Sequence, residues 1–233
     1  MLIDQYYNET DNTISFTRQQ GSSFAKTIAG DFNPLHDTDN NKFCVPGDLL
    51  FAVILKKYGI SQQMTFTFSG MVKETVHLIL PKVSNDIALS DAASKNYINV
   101  KTHGEVSHNA SLIDSLTKNY VEFSGHTFPH ILVPLLKEQG AMINPARPMV
   151  IYQKMLIHLE SLDINHVNLE LDTTNTLLEL NGKRGNVCLA FKLYAEGEQV
   201  GHGEKHMVLS GLKPFEAGAL EQLILGYKTS KQD

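Results

Sequence analysis

Gly30-Asp31-Phe32-Asn33-Pro34-Leu35-His36 is the stretch on which the reading of this chain turns. It packs a carboxylate, a carboxamide and an imidazole into one short turn. Ten residues after His36 come Pro46-Gly47-Asp48, then an apolar run from Leu49 to Leu55. Pro46 at the start and Gly59 past the end bracket a helix over residues 46–58. The run is apolar on every side, so the pattern predicts a buried helix rather than an amphipathic one. A polar turn that feeds a buried helix is a place for an active site.

Asp31 and His36 lie five residues apart, too far to be i,i+4 partners on a helix face. An extended turn through Pro34 can face both into one cavity. An ionised Asp accepts a proton or holds a water, and a neutral His does the same near pH 7. Asn33 supports either the turn or that water, since it offers donor and acceptor atoms. Gly47 has no side chain and stands at a helix N-terminus. Its N–H can bind an oxygen on which negative charge develops. The bland reading is an ordinary Asp-x-Asn-Pro turn in which Asp31 caps a helix or braces a loop.

From Phe24 to His36 the order is Phe24-Ala25, Gly30-Asp31, Asn33-Pro34, an apolar Leu35 and His36. This resembles the signature of MaoC-like dehydratases, which include the (R)-specific enoyl-CoA hydratases. The resemblance implies a hot-dog fold, in which a curved antiparallel sheet wraps one long apolar helix. It implies that Asp31 and His36 are catalytic, activating one water that adds across a trans-2-enoyl thioester to give a 3-hydroxyacyl thioester. Asn33 and Gly47 would bind substrate, an acyl-CoA or acyl-carrier-protein thioester. No cofactor and no metal is implied. That family usually starts its helix with His-Gly, where this chain has Pro46-Gly47. Two other readings stay open: a hot-dog thioesterase, and a non-catalytic acyl-thioester-binding or regulatory protein.

The 233 residues suffice for one large domain or two small ones, and the net charge of −5 argues against a nucleic-acid or anionic-membrane partner. Cys44 and Cys188 fit no metal or redox spacing, and two thiols point to a reducing compartment. Met1 to Gln5 has neither the basic nor the apolar region of a signal peptide, and no apolar run reaches membrane-span length. The expectation is a soluble cytoplasmic protein, with a homodimer left open.

Ser22-Ser23 reads as the cap of a short helix through Ile28. Ile14 to Phe16, Met64 to Phe68, Thr75 to Val83 and Tyr97 to Lys101 read as strands, and His103-Gly104-Glu105 as a reversal into Val106 to Ile113. After Lys118 the plan starts again, with Tyr120 to Phe123 as a strand. Gly125 and Pro129 repeat the spacing of Gly30 and Pro34, and Gly104-Glu105 is echoed by Gly197-Glu198. These echoes predict two related halves, 1–117 and 118–233, and so an α+β double hot-dog with two curved sheets. Residues 129–139 and 148–158 are helix candidates for the second half, the later one placed as its central helix. Val167 to Leu171, Thr176 to Leu180, Val187 to Tyr194 and Val200 to Leu209 read as strands, joined by turns at Asn181-Gly182 and Glu196-Gly197. His202, Glu204 and His206 alternate onto one strand face, as a metal site would need. Gly201 and Gly203 read instead as a hairpin with those residues in solvent. His126 and His130 do not reproduce the Asp/His pattern. Lys56-Lys57 reads as a helix C-terminal cap, and Lys183-Arg184 as a solvated turn.

Overall fold

A computed structural model describes residues 3–229. The chain opens with β1 (Asn8–Thr10), β2 (Thr13–Ser15) and α1 (Arg18–Ser23). Thr17 and Gln20 form a reciprocal capping box, so α1 begins before the Ser22-Ser23 pair expected to cap it. The helix widens into a π-helical turn over Phe24–Ala29, which Gly30 ends at φ +64°. A 3-10 turn covers Pro34–His36, and α2 (Gly47–Tyr58) follows. Leu49 through Leu55 are all buried, as expected of the central helix, and Gly59 leaves it at φ +81°. Full burial of each Leu, Phe, Val or Ile side chain in this run is worth roughly 1.5–3 kcal/mol.

Next come β3 (Ile60–Phe68), β4 (Leu78–Ile79), β5 (Asp86–Ser90) and β6 (Asn96–Ser107). Then follow α3 (Ala110–Gly125), α4 (Thr127–His130), α5 (Leu132–Glu138) and β7 (Ala141–Met142). The chain continues with β8 (Val150–Leu159), β9 (Asn168–Leu171), β10 (Leu177–Asn181), β11 (Arg184–Ala195), β12 (Glu198–Ser210), β13 (Lys213–Pro214) and α6 (Ala217–Thr229).

Eleven strands join in one antiparallel sheet, ordered β1-β2-β4-β5-β6-β3-β8-β12-β11-β10, with β9 also on β11. The seam between the halves is β3 on β8, from Gln63 opposite His158 to Thr67 opposite Lys154. The sheet curls around α2 and α3. Phe51 of α2 packs on Phe66 at 5.2 Å and on Tyr120 of α3 at 4.7 Å, and Tyr120 reaches Phe191 at 5.8 Å. Leu132 and Leu136 of α5 cover the far end with Val187, Leu189 and Met207. This is the expected α+β double hot-dog, with the two expected sheets fused edge to edge. Among the described residues, no helix is long and apolar enough to cross a membrane.

The second half departs from expectation where short apolar runs were ambiguous. Tyr120 to Phe123 is not a strand but part of α3, whose buried Leu112, Leu116 and Tyr120 recur at helical spacing. Asn109 caps it, accepting from the Ser111 N–H at 3.0 Å. Position 117 therefore falls inside α3, and α3 takes the central-helix role given to 148–158. That stretch is β8 instead, with the strand alternation Met155, Ile157, Leu159 facing inward. The earlier candidate, 129–139, contains α5.

There is no reversal at His103-Gly104-Glu105. Gly104 at φ +85° forms a bulge and β6 runs on to Ser107, so the Gly104 and Gly197 echo does not mark equivalent positions. Of Thr75 to Val83 only Leu78–Ile79 pairs as strand. Gly201 and Gly203 are no hairpin but interior residues of β12. A Cβ on Gly203 would lie 2.3 Å from the Phe191 ring, so only glycine fits there. Strands β9 to β12 fall where expected, and Gly182, Glu196 and Gly197 turn at positive φ.

Candidate active site

Gly30 turns the chain out of the π-helical turn, and the Asp31 N–H donates back to the Ala25 carbonyl at 2.8 Å. Asp31 Oδ1 accepts from the Asn33 N–H at 2.9 Å, which leaves Oδ2 3.6 Å from His36 Nε2. His36 Nδ1 stands 2.8 Å from the Cys44 carbonyl oxygen. A carbonyl only accepts, so Nδ1 carries a hydrogen there, and Nε2 is the ring atom turned towards Asp31. Asp31 and His36 are therefore brought together. Asn33 is nearby, but its Oδ1 accepts from the Leu35 N–H at 3.1 Å and caps the 3-10 turn. Burial, with Asp31 adding to it, pushes the Cys44 thiol up to about 11 and keeps it neutral.

Gly47 is the first residue of α2, and Pro46 supplies no side-chain cap, so its N–H is a terminal donor without an intrahelical acceptor. Phe68 and Tyr152 stack at 4.3 Å directly over it. A Cβ on Gly47 would meet those rings at 3.1 and 3.2 Å. Asp31, Asn33, His36 and Gly47 all line one cavity of about 440 Å³ between the halves. Lys42, Lys73 and Arg147 also line it and are exposed, which marks its rim.

Three further residues line the cavity that the sequence analysis did not single out. Asp48 comes from the first turn of α2, Ser124 from the last turn of α3 and Lys205 from β12. Ser124 Oγ donates to Asp48 Oδ2 at 2.5 Å, and Lys205 Nζ donates to Ser124 Oγ at 2.5 Å. Lys205 Nζ also sits 4.8 Å above the Tyr152 ring, whose hydroxyl bonds to that of Tyr120. Burial pushes the Asp48 carboxyl up, with Lys205 opposing. Burial pushes the Lys205 ammonium down, with Asp48 and Asp31 opposing. Asp48 Oδ1 is buried without a hydrogen-bond partner. Ser124 is 76 residues from Asp48 and 81 from Lys205, so no local motif announces the set. The one available signal is Lys205 itself, which falls on the inward phase of β12 between Gly203 and Met207.

Tyr227 of α6 holds the motif turn from outside. Its hydroxyl donates to the Gly30 carbonyl at 3.2 Å and accepts from the Phe32 N–H at 3.4 Å, and its ring meets Phe32 edge-on at 5.9 Å.

His202, Glu204 and His206 do share the outer face of β12, but only two of them meet. His206 Nε2 lies 2.7 Å from Glu204 Oε2, while His202 stacks on His158 at 5.2 Å. Cys188, directly opposite His206 on β11, completes a Cys188, Glu204, His206 group whose ligand atoms lie within 4.8 Å and which could hold a metal ion. His126 and His130 pack edge-on to each other at 6.0 Å. Lys56 and Lys57 pair with Asp4 and Glu9.

A family model described as a protein of unknown function, DUF3581, matches residues 1–218, and the chain belongs to that family. No curated protein matches it. Among solved structures, the chain is similar to a conserved protein of unknown function with a hot-dog fold from Alicyclobacillus acidocaldarius, at 7% identity and TM-score 0.47, over 92% of this chain and 99% of that one. It is similar to a tesB protein of Mycobacterium avium subs paratuberculosis at 7% identity and TM-score 0.46, over 89% and 96%. A third likeness is to the peroxisomal multifunctional enzyme type 2 of Drosophila melanogaster, at 10% identity and TM-score 0.44, over 84% of this chain and 47% of that one.

Proposed function

For this member of the DUF3581 family we propose reversible hydration of a trans-2-enoyl thioester, carried on CoA or acyl-carrier protein, to the 3-hydroxyacyl thioester. The observation that supports the reading is Nε2 of His36 facing Asp31 Oδ2 at 3.6 Å inside a shared cavity. That gap exceeds a direct hydrogen bond, and in the proposed reaction one water sits against both atoms.

His36 takes a proton from the water as its oxygen bonds to C3. The electron pair moves through C2 to the thioester oxygen, where the Gly47 N–H and the N-terminus of α2 meet the growing negative charge. The proton then returns from His36 to C2, so one water is added and nothing else is consumed. Asp31 holds the water and stabilises the imidazolium. Asn33 keeps the turn that sets both. The two-half division at 1–117 and 118–233 belongs to the proposal in amended form, with all of α3 assigned to the second half.

Incubation with crotonyl-CoA tests the reading. Loss of enoyl absorbance without release of thiol supports hydration. Release of CoA thiol favours a thioesterase, in which the same water attacks the carbonyl carbon. Saturable binding with neither change favours a carrier or regulatory protein.

A further inference from the structure

The outer face of the sheet carries a second cluster of chemistry-bearing side chains, on the side of β12 away from the cavity. Strand alternation turns Lys205 inward and its neighbours Glu204 and His206 outward. The antiparallel register sets Cys188 of β11 directly opposite His206. His206 Nε2 then has Glu204 Oε2 at 2.7 Å and Cys188 Sγ at 4.0 Å. The three atoms lie within 4.8 Å of one another. The paired strands, rather than a loop, hold the set in register. The His206 and Glu204 side chains are 34% and 45% exposed, which leaves the cluster open to an ion from solvent.

The spacing is near that of ligands around a bound ion. Tetrahedral bonds of about 2.3 Å to sulfur and about 2.0–2.2 Å to nitrogen and oxygen put ligand atoms about 3.3–3.6 Å apart. The sulfur–nitrogen gap is wider and the nitrogen–oxygen gap narrower, each by roughly half an ångström. Small rotations of half-exposed side chains close both differences. The donors also select the ion. A thiolate, an imidazole and a carboxylate suit zinc, whereas magnesium and calcium take oxygen ligands. With the thiol proton released to solvent, thiolate and carboxylate together balance a divalent charge. Lys154 of β8 stands opposite His206 on its other side, and it is long enough to turn its ammonium to solvent. Leu177 of β10, opposite Cys188, offers no donor, so the fourth position is left to water.

We propose that Cys188, Glu204 and His206 form a zinc site that clips β11 to β12 on the outer face of the sheet. This goes beyond the acyl-thioester reading and stands without it, since none of the three residues lines the cavity. The ordinary alternative is a His206–Glu204 ion pair with Cys188 as a bystander. That pair makes no use of the sulfur, and a zinc site requires it.

The test uses the untagged full chain, stripped with a chelator. Calorimetric titration with zinc chloride should give one ion per chain, and zinc should raise the melting temperature. Cobalt(II) in place of zinc should give the near-ultraviolet absorption of a thiolate–cobalt bond, which imidazole and carboxylate ligands do not produce. Cys188→Ser should abolish that band. Cys188→Ser, Glu204→Gln and His206→Gln should each weaken zinc binding at least roughly tenfold, the loss seen even for partners one shell further out. A wild type that binds no zinc, or that gives no thiolate band with cobalt, overturns the site and leaves the ion pair. A band that survives in Cys188→Ser belongs to Cys44 and overturns the assignment. Should a variant not fold, alkylation of the wild type decides. Zinc should protect Cys188 from iodoacetamide, and equal labelling with and without zinc overturns the site.

Discussion

Gly125 lies so close to Ala29 that a Cβ on it would stand 1.8 Å from the Ala29 carbonyl oxygen. That contact presses the last turn of α3 onto the π-helical turn that delivers Asp31. It sets Ser124, from the last turn of α3, against the turn that carries Asp31 and His36. The obstacle is backbone, which has no rotamer to yield. Gly125→Ala should therefore push α3 off the turn at a cost of about 1–3 kcal/mol, as overpacking does. Urea denaturation reads the cost, and wild-type stability in this variant would show that the contact is loose.

Lys205→Met tests the electrostatics around Asp48. It leaves Asp48 buried without its cation, which should cost about 3–5 kcal/mol near neutral pH. The sign of the pH dependence follows from Asp48. Burial already raises its pKa above the ordinary 3.8, and losing Lys205 removes the opposing influence. The folded variant then keeps a proton that the unfolded chain releases, so its stability falls as pH rises above that ordinary value. The deficit against wild type should be smaller at pH 5 than at pH 8. A deficit that grows on acidification would mean that Asp48 is not the unpaired group.

Tyr227→Phe removes only a hydroxyl. The ring keeps its edge-on contacts with Phe32 and Phe128, while the bonds to the Gly30 carbonyl and the Phe32 N–H are lost. Stability should fall by roughly 0.5–1.5 kcal/mol. Turnover should fall by a larger factor than that loss of stability explains, because the turn that carries Asp31 is loosened. Unchanged turnover in a folded Tyr227→Phe protein would remove α6 from the account of the site.

The sequence was most legible where one signal dominated. Pro46, Gly59 and the unbroken apolar run between them mark α2, and the Asp31 to His36 turn stands out by residue type and spacing together with its resemblance to the MaoC-like signature. It was least legible in the second half, where short apolar runs serve strand and helix equally. Tyr120 to Phe123 belongs to the buried stripe of α3, which begins at Leu112, before the apparent restart of the plan. Met149 to Leu159 carries apolar residues on both faces, although only the Met155, Ile157 and Leu159 face is buried, and such a run imitates a buried helix. The Asp48, Ser124, Lys205 set exists only once α2, α3 and β12 are packed together. Periodicity could show that Lys205 faces inward but not what it would meet there.

The seam also sets the behaviour of fragments. Residues 1–116 would end within α3, lose Tyr120 from the face of Phe51, and leave the edge of β3 from Gln63 to Thr67 unpaired. An open apolar edge pairs with whatever strand it meets. This fragment should aggregate or self-associate, as sedimentation would show. A stable monomer would contradict the interdependence of the halves.

The central claim is that Asp31 and His36 act on one water. Turnover of crotonyl-CoA by wild type, Asp31→Asn, His36→Ala and the double variant tests it most directly. Each single change should lower turnover by at least roughly a hundredfold, the low end for general acid–base groups. The double variant should lose little more than either, because residues that act as a unit are not additive. Acyl-CoA binding should change little, and His126→Ala and His202→Ala should stay near wild type. Turnover by Asp31→Asn and His36→Ala equal to that of an active wild type would contradict the site. So would losses in the two single variants that simply multiply in the double.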